Sequence, residues 1–253
     1  MGALTREEAL EEITRVCLRV TESTVAEMPE DAEPAWWPPP RGEGAVLVRT
    51  RHLEGRAADP DDAAHMAALC AWWNDADAAP WMDAGTGGTA YTPEALAESF
   101  REDYARPPSS PGDVYIVFRE RGAGEGAGGR LVGFGALYER DAERRTAELS
   151  YQVGERACRG RGLGTEIVQA LCAFAFRRAR LASVHISVVV ENAASVRAAR
   201  RSGFRCYGLR PQSHVGTHAG RPALFDEFLL ICFPQDLERA LADGGGSEVT
   251  ILS

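Results

Sequence analysis

The spacing of hydrophobic positions divides the chain into two unlike stretches. From Thr5 to Met28, Leu10, Ile13, Val16, Cys17 and Val20 fall on one stripe with glutamates opposite, which predicts an amphipathic helix. Pro29 to Gly44 follows and contains Trp36-Trp37 and Pro38-Pro39-Pro40. Proline cannot donate the helical hydrogen bond, so this stretch reads as an extended connector whose tryptophans pack onto the main domain. From Ala45 onward, period-two and period-3.6 segments alternate. Strands are predicted at Val46–Leu53, Val114–Arg119, Leu131–Tyr138, Thr146–Val153, Val184–Val190 and Leu224–Phe233. Helices are predicted at Asp59–Trp73, from Thr92 to before Pro107, at Thr165–Arg180 and at Ala193–Ser202. The glycine-rich run from Gly122 to Gly129 reads as a hairpin connection. This order predicts an α/β (α+β) sheet flanked by helices. Residues 1–44 are then an N-terminal helix and connector, 45–235 the main domain, and 236–253 a C-terminal tail.

Composition narrows the function classes. The chain is 45% hydrophobic and 26% charged, has no long apolar run, and starts with an acidic, helix-like segment. The expectation is a cytoplasmic protein that neither crosses a membrane nor carries a secretion signal. Every one of the 28 basic residues is arginine. A phosphate loop ending in Gly-Lys-Ser/Thr and a Schiff-base lysine are therefore excluded. The six cysteines form no C-x-x-C pair and the histidines lack zinc-finger spacing, so reduced thiols and no metal are expected. Asp59, Asp61, Asp62 and His65 read as a helix start, with Asp59 as cap and Pro60 opening the helix.

Charge adds a localised signal. The net −9 conceals a segment, Arg156 to Arg210, with eleven arginines and two acids; it carries +9 and leaves −18 elsewhere. Such a block suits a polyanion, either nucleic acid or a phosphorylated cofactor. Within it, Arg159-Gly160-Arg161-Gly162-Leu163-Gly164-Thr165 lies between a predicted strand and an apolar-striped helix. Glycines permit a tight turn with outward N–H groups, and a helix start adds partial positive charge, so a pyrophosphate is the natural guest.

The next segments extend this pattern. After the helix come the strand Val184–Val190, the run Glu191-Asn192-Ala193-Ala194-Ser195, and a short helix ending at Gly203-Phe204. With Arg159, Gly162 and Gly164 as an R-x-x-G-x-G pattern, and Ala147-Glu148-Leu149-Ser150-Tyr151 upstream, the chain resembles the GNAT family of acyl-coenzyme A-dependent N-acyltransferases. Within it, the branch containing ribosomal-protein N-terminal acetyltransferases and polyamine acetyltransferases is the most similar. The resemblance implies a mixed, largely antiparallel central sheet, acetyl-CoA as co-substrate, and direct transfer to a primary amine, on a small molecule or a protein N-terminus. It implies that Arg159, Gly160, Arg161, Gly162, Leu163, Gly164 and Thr165 hold the pyrophosphate, with Asn192 and Ser195 also contacting the cofactor. Main chain at Gln152 and Val153 would pair with the pantetheine arm, and the Val153 N–H would face the thioester oxygen. Glu148 would be the base. The family's usual tyrosine, seven residues after the asparagine, is Ala199 here, while Ser195 stands where the branch often has a serine; that hydroxyl either contacts the sulfur or caps the helix. A coenzyme A cofactor explains the arginine block better than nucleic acid does. The expected assembly is a monomer or homodimer. The alternatives are a non-catalytic coenzyme A-binding domain and an O- or longer-chain acyltransferase.

Overall fold

The computed structural model describes residues 4–20, 38–42, 45–78, 81, 90–107, 110, 112–122, 129–218, 221–243 and 248–252, with backbone only at 16–20 and 218. Trp36 and Trp37, Glu22 to Met28, the body of the glycine-rich run and the stripe side chains from Val16 onward lie outside the described residues. Nine strands form one sheet: β1 (Val46–Arg49), β2 (Leu53–Ala57), β3 (Val114–Glu120), β4 (Leu131–Asp141), β5 (Thr146–Val153), β6 (Ser183–Val189), β7 (Arg205–His218), β8 (Arg221–Cys232) and β9 (Thr250–Ile251). Their order is β7-β8-β6-β5-β4-β3-β2-β1-β9. Among the described residues six α-helices accompany them: α1 (Arg6–Val20), α2 (Ala63–Trp73), α3 (Pro93–Tyr104), α4 (Leu163–Ala173), α5 (Ala193–Arg201) and α6 (Pro234–Asp243). The predicted mixed, largely antiparallel sheet flanked by helices is what the chain forms.

Among the described residues every strand pairing is antiparallel except β5–β6. Parallel neighbours cannot be joined by a hairpin and need a crossover, which α4 supplies. Its stripe Ile167, Val168, Leu171 and Cys172 is fully buried, packing the helix against one face of the sheet. The parallel pairing covers only Thr146↔Ser183, Ala147↔Val184 and Glu148↔His185. Beyond Glu148 the two strands separate, and each continues along its other neighbour. The sheet therefore opens into a V at its centre.

Several boundaries differ from expectation. The stretch read as one strand, Val46–Leu53, is a hairpin: Thr50 turns the chain, its N–H donating to the Leu53 carbonyl at 2.9 Å and its hydroxyl accepting from the Leu53 N–H at 3.0 Å. Asp62, not Asp59, caps α2, accepting from the N–H groups of Ala64 and His65 at 2.8 and 3.2 Å. Asp59 instead holds the turn before it through the Asp61 N–H. Strand β7 carries no alternating pattern strong enough to read, because its pairing with β8 is interrupted by two irregularities, at Cys206–Gly208 and Arg210–His214. Past residue 235, α6 buries Leu237 and Leu241, and β9 pairs with β1; the stretch read as a tail is layered onto the sheet. At the other end, α1 is tied to the sheet side by ion pairs of Arg6 with Asp226 and Glu12 with Arg200.

Candidate active site

Strand alternation decides which side chains meet at the V. Register places Tyr138 of β4, Glu148 of β5 and His185 of β6 in one row across the sheet, all on the face that α2 covers in part. Ser150 and Gln152 continue that face toward the end of β5, and Leu149, Tyr151 and Val153 point to the α4 side. A cleft of about 690 Å³ runs through the opening and is lined from both faces.

On the α4 side the turn is built from main chain. Gly160 and Gly162 have φ of +77° and +85°, a region costly for any residue with a Cβ. Gly162 is the helix N-cap and has no side chain to offer the first turn. The earliest main-chain bonds in α4 run from Thr165 and Glu166 back to the Gly162 carbonyl. No acceptor among the described residues takes the N–H groups of residues 160–164, and around Gly160 and Gly162 a Cβ would meet nothing within 4 Å. Open space and free donors at a helix start make an anion site. Gly164 serves packing: a Cβ there would stand 3.2 Å from the Tyr151 ring.

The predicted pyrophosphate residues divide. Gly160, Gly162, Gly164 and Thr165 line the cleft. Leu163 is buried in the core and offers only its N–H. Arg161 is turned away, paired with Glu120 at 2.8 Å. Arg159 lines the cleft, but its guanidinium is already engaged by the Val153 carbonyl (3.0 Å), the Gly154 carbonyl (3.1 Å) and Asp75 (2.7 Å). Two arginines that the motif reading passed over, Arg197 and Arg201 of α5, line the cleft without an acidic partner among the described residues. The signal that points to them is their spacing of four on the helix opened by Asn192.

The end of β5 also corrects the expected main-chain pair. Gln152 sits opposite Phe134 in the ladder, and its carbonyl lies so close to Gly133 that a Cβ there would be 2.2 Å away. That carbonyl therefore faces β4, and the planar trans peptide turns the Val153 N–H the opposite way, toward the gap. Alternation gives Tyr151 and Val153, not Gln152 and Val153, as the residues whose main chain faces the gap. The Gln152 side chain is likewise occupied, its amide donating to the Trp72 carbonyl at 3.1 Å.

At the α5 start, Asn192 Oδ1 accepts from the Ser195 N–H at 3.1 Å, so Asn192 caps the helix and Ser195 does not. The Ser195 hydroxyl is left to accept from Tyr151 OH at 3.3 Å. Burial pushes the Tyr151 phenol up to about 12, opposed by that hydrogen bond. Ala199 is fully buried and cannot stand in for the family tyrosine.

The opposite face is walled by side chains. Trp73 lies among Tyr91, Phe100, Tyr115 and Phe134, with ring centroids 4.9–6.2 Å away. Trp72 stacks on Phe134 and covers Gly154. Glu148 reaches across the V and accepts from the Ser187 N–H at 3.3 Å. Beside it, His185 contacts Tyr207 and Ser183 at 3.3 and 3.2 Å. Burial lowers the His185 pKa against the pull of Glu148. Glu227 and His214 also line this side, and burial together with Asp103 raises the Asp113 carboxyl at its far end.

A family model described as the acetyltransferase (GNAT) domain matches residues 53–205. The chain belongs to the GNAT family. Among curated proteins none matches it by sequence. Solved structures of similar fold include RimJ of Mycobacterium smegmatis in complex with CoA-disulfide, 19% identical with TM-score 0.64 over 80% of this chain and 96% of that one. Spermidine N-acetyltransferase of Vibrio cholerae with CoA and spermine is 16% identical with TM-score 0.60, covering 74% and 98%. Ribosomal-protein-S5-alanine acetyltransferase of Vibrio fischeri is 16% identical with TM-score 0.60, covering 76% and 98%. As a GNAT acetyltransferase the chain is an enzyme of acyl transfer from coenzyme A. Among the described residues, no helix is long and apolar enough to cross a membrane and no cluster of His, Cys, Asp and Glu is arranged to hold a metal.

Proposed function

We propose that the protein transfers an acetyl group from acetyl-CoA to a primary amine within a ternary complex. The observation that carries this reading is the pairing of five uncommitted N–H donors at residues 160–164 with a V-shaped gap into which the Val153 N–H turns. A diphosphate fits the first, and an extended thioester arm the second. Arg197 and Arg201 supply cationic contacts to the remaining phosphate.

An alkylammonium has a pKa near 10 and must lose a proton before its nitrogen can attack. Glu148 takes that proton as the amine meets the thioester carbon. The Val153 N–H holds the oxygen on which charge develops, and the carbon–sulfur bond then breaks as the tetrahedral adduct collapses. Ser195, held by Tyr151, donates a hydrogen bond from its hydroxyl to the departing sulfur, which leaves as a thiolate and takes up the proton that the newly acylated nitrogen sheds. Because a thiol has a pKa of only about 8.5, this last help is modest. Aromatic walls and the carboxylates of Glu148, Glu227 and Asp113 favour a cationic acceptor.

The test is a screen of polyamines, amino acids and peptides with labelled acetyl-CoA, read by mass spectrometry. An N-acetylated product with release of free thiol is expected. Coenzyme A binding without transfer to any amine would favour the non-catalytic alternative, and an ester product the O-acyltransferase.

A further inference from the structure

The exit of β5 is gripped from outside the motif. Arg159 spans the carbonyls of Val153 and Gly154 while its Nη2 also meets Asp75 Oδ2 at 2.7 Å. The second Asp75 oxygen takes Arg156 at 2.8 Å, and Asp77 meets the same guanidinium. Asp75 follows α2 directly, and the end of that helix adds three contacts to the same strip of chain. The Trp72 carbonyl accepts from Gln152, its indole N–H donates to Glu155 at 3.4 Å, and its ring lies where a Cβ on Gly154 would stand. The adjoining Trp73, Asp77 and Ala78 line the acceptor side of the cleft. One short segment thus forms the acceptor wall and holds the edge that faces the thioester.

We propose that Asp75 is a positioning residue for acyl transfer. By fixing Arg159 against the Val153 and Gly154 carbonyls it holds the two peptide planes that follow the Val153 N–H, keeps that donor at the angle the β4 ladder gives it, and couples it to the acceptor wall. This inference rests on the reading of Val153 as the oxyanion donor. Two guanidinium groups, Arg159 first and Arg156 second, hold the Asp75 carboxyl well below the usual carboxylate range. The anchor therefore remains charged throughout the neutral range. Its side chain is only 11% exposed and the one on Arg159 34%, whereas Arg156 is 64% exposed and touches neither carbonyl. That contrast separates a path through Arg159 from a general need for charge balance.

The experiment compares D75N, D75E, R159A, R156A and the double variant D75N/R159A in steady-state acetyl transfer, with calorimetric titration of coenzyme A and thermal melts. Removing an oxyanion donor outright lowers kcat by about 10²–10³-fold, so a misdirected donor in D75N is expected to cost about 10–100-fold in kcat. KM for acetyl-CoA and the coenzyme A Kd should stay within about threefold, since the 160–164 turn is untouched. R159A should reproduce this loss, the double variant should add little to it, and R156A should stay near wild type. D75E keeps the charge and should recover most of the rate, which also covers the case in which D75N folds poorly. Wild-type kcat in D75N, or equal losses in R156A and R159A, overturns the role of Asp75 while leaving the acetyltransferase reading intact. A wild-type protein that binds coenzyme A yet transfers to no amine overturns both.

Discussion

The two faces of the sheet solve their chemical problems by different means. On the α4 side, the proposed ligand site is a run of consecutive residues, 160–164, whose donors are backbone N–H groups in a turn with two glycines at positive φ. On the α2 side, the site is assembled from single side chains on β3, β4, β5, β6, β7 and β8 and from the end of α2. Main-chain recognition is indifferent to most side chains but intolerant of a changed dihedral angle. Side-chain recognition has the opposite sensitivity, because each wall residue can be exchanged without moving the strand that bears it.

The largest effect on coenzyme A binding should come from Gly162→Val. Nothing crowds the position, so the damage is conformational: left-handed backbone costs a residue with a Cβ about 1–2 kcal/mol. A β-branched residue is worse placed still, and relief of the strain would swing the N–H donors away. Coenzyme A binding by calorimetry should fall by about 100-fold or more, the combined loss of several charge-assisted hydrogen bonds. Normal binding would break the distinction between the faces. Next is Glu148→Gln, which should lower kcat about 10²–10⁴-fold, the usual range for general-base catalysis, with coenzyme A affinity nearly unchanged. Unchanged turnover would remove Glu148 from the chemistry.

Ser195→Ala should cost less than about tenfold in kcat, because a thiolate is already a competent leaving group. The Asn192 cap survives this change, so a fall in melting temperature would mark Ser195 as structural instead. The smallest effect concerns pH. Burial lowers the proton affinity of His65 and His185 in the folded chain. Below the ordinary histidine pKa of about 6.5 the unfolded chain takes up protons that the folded one refuses. Their contribution to stability is therefore full above that pH and is lost as pH falls through the folded values. Urea midpoints at pH 7.5 and 5.5 should converge in His65→Gln relative to wild type. An identical fall in both proteins would remove His65 from this dependence.

The same contrast explains what could be read in advance. The Arg159–Thr165 turn was legible because seven neighbouring residues contain the whole geometry, and strands β3 to β6 because hydrophobic period and length agree there. The motif did not show where its own arginines turn: Arg161 finds Glu120, and Arg159 meets two carbonyls and Asp75, partners up to 84 residues away. Arg197 and Arg201 were visible only as charge. Gln152 was mistaken for the pairing residue because strand register, set by β4, decides which carbonyls turn toward the gap. Tyr151 gains its place through Ser195, 44 positions on, a contact that no local pattern records. Strand β7 was hidden by its irregular pairing, and α6 because a short amphipathic segment beginning at Pro234 resembles any polar terminus until Leu237 finds the core.

The parallel pairing of β5 with β6 carries one more implication. A chain that leaves β5 and must come back beside it in the same direction has to climb over the sheet, and the climb begins at the end where the two strands part. Its first helical turn is thereby delivered to the mouth of the opening. The proposed phosphate grip and thioester slot are thus a single decision in the routing of the polypeptide, and rewiring the crossover would forfeit both together.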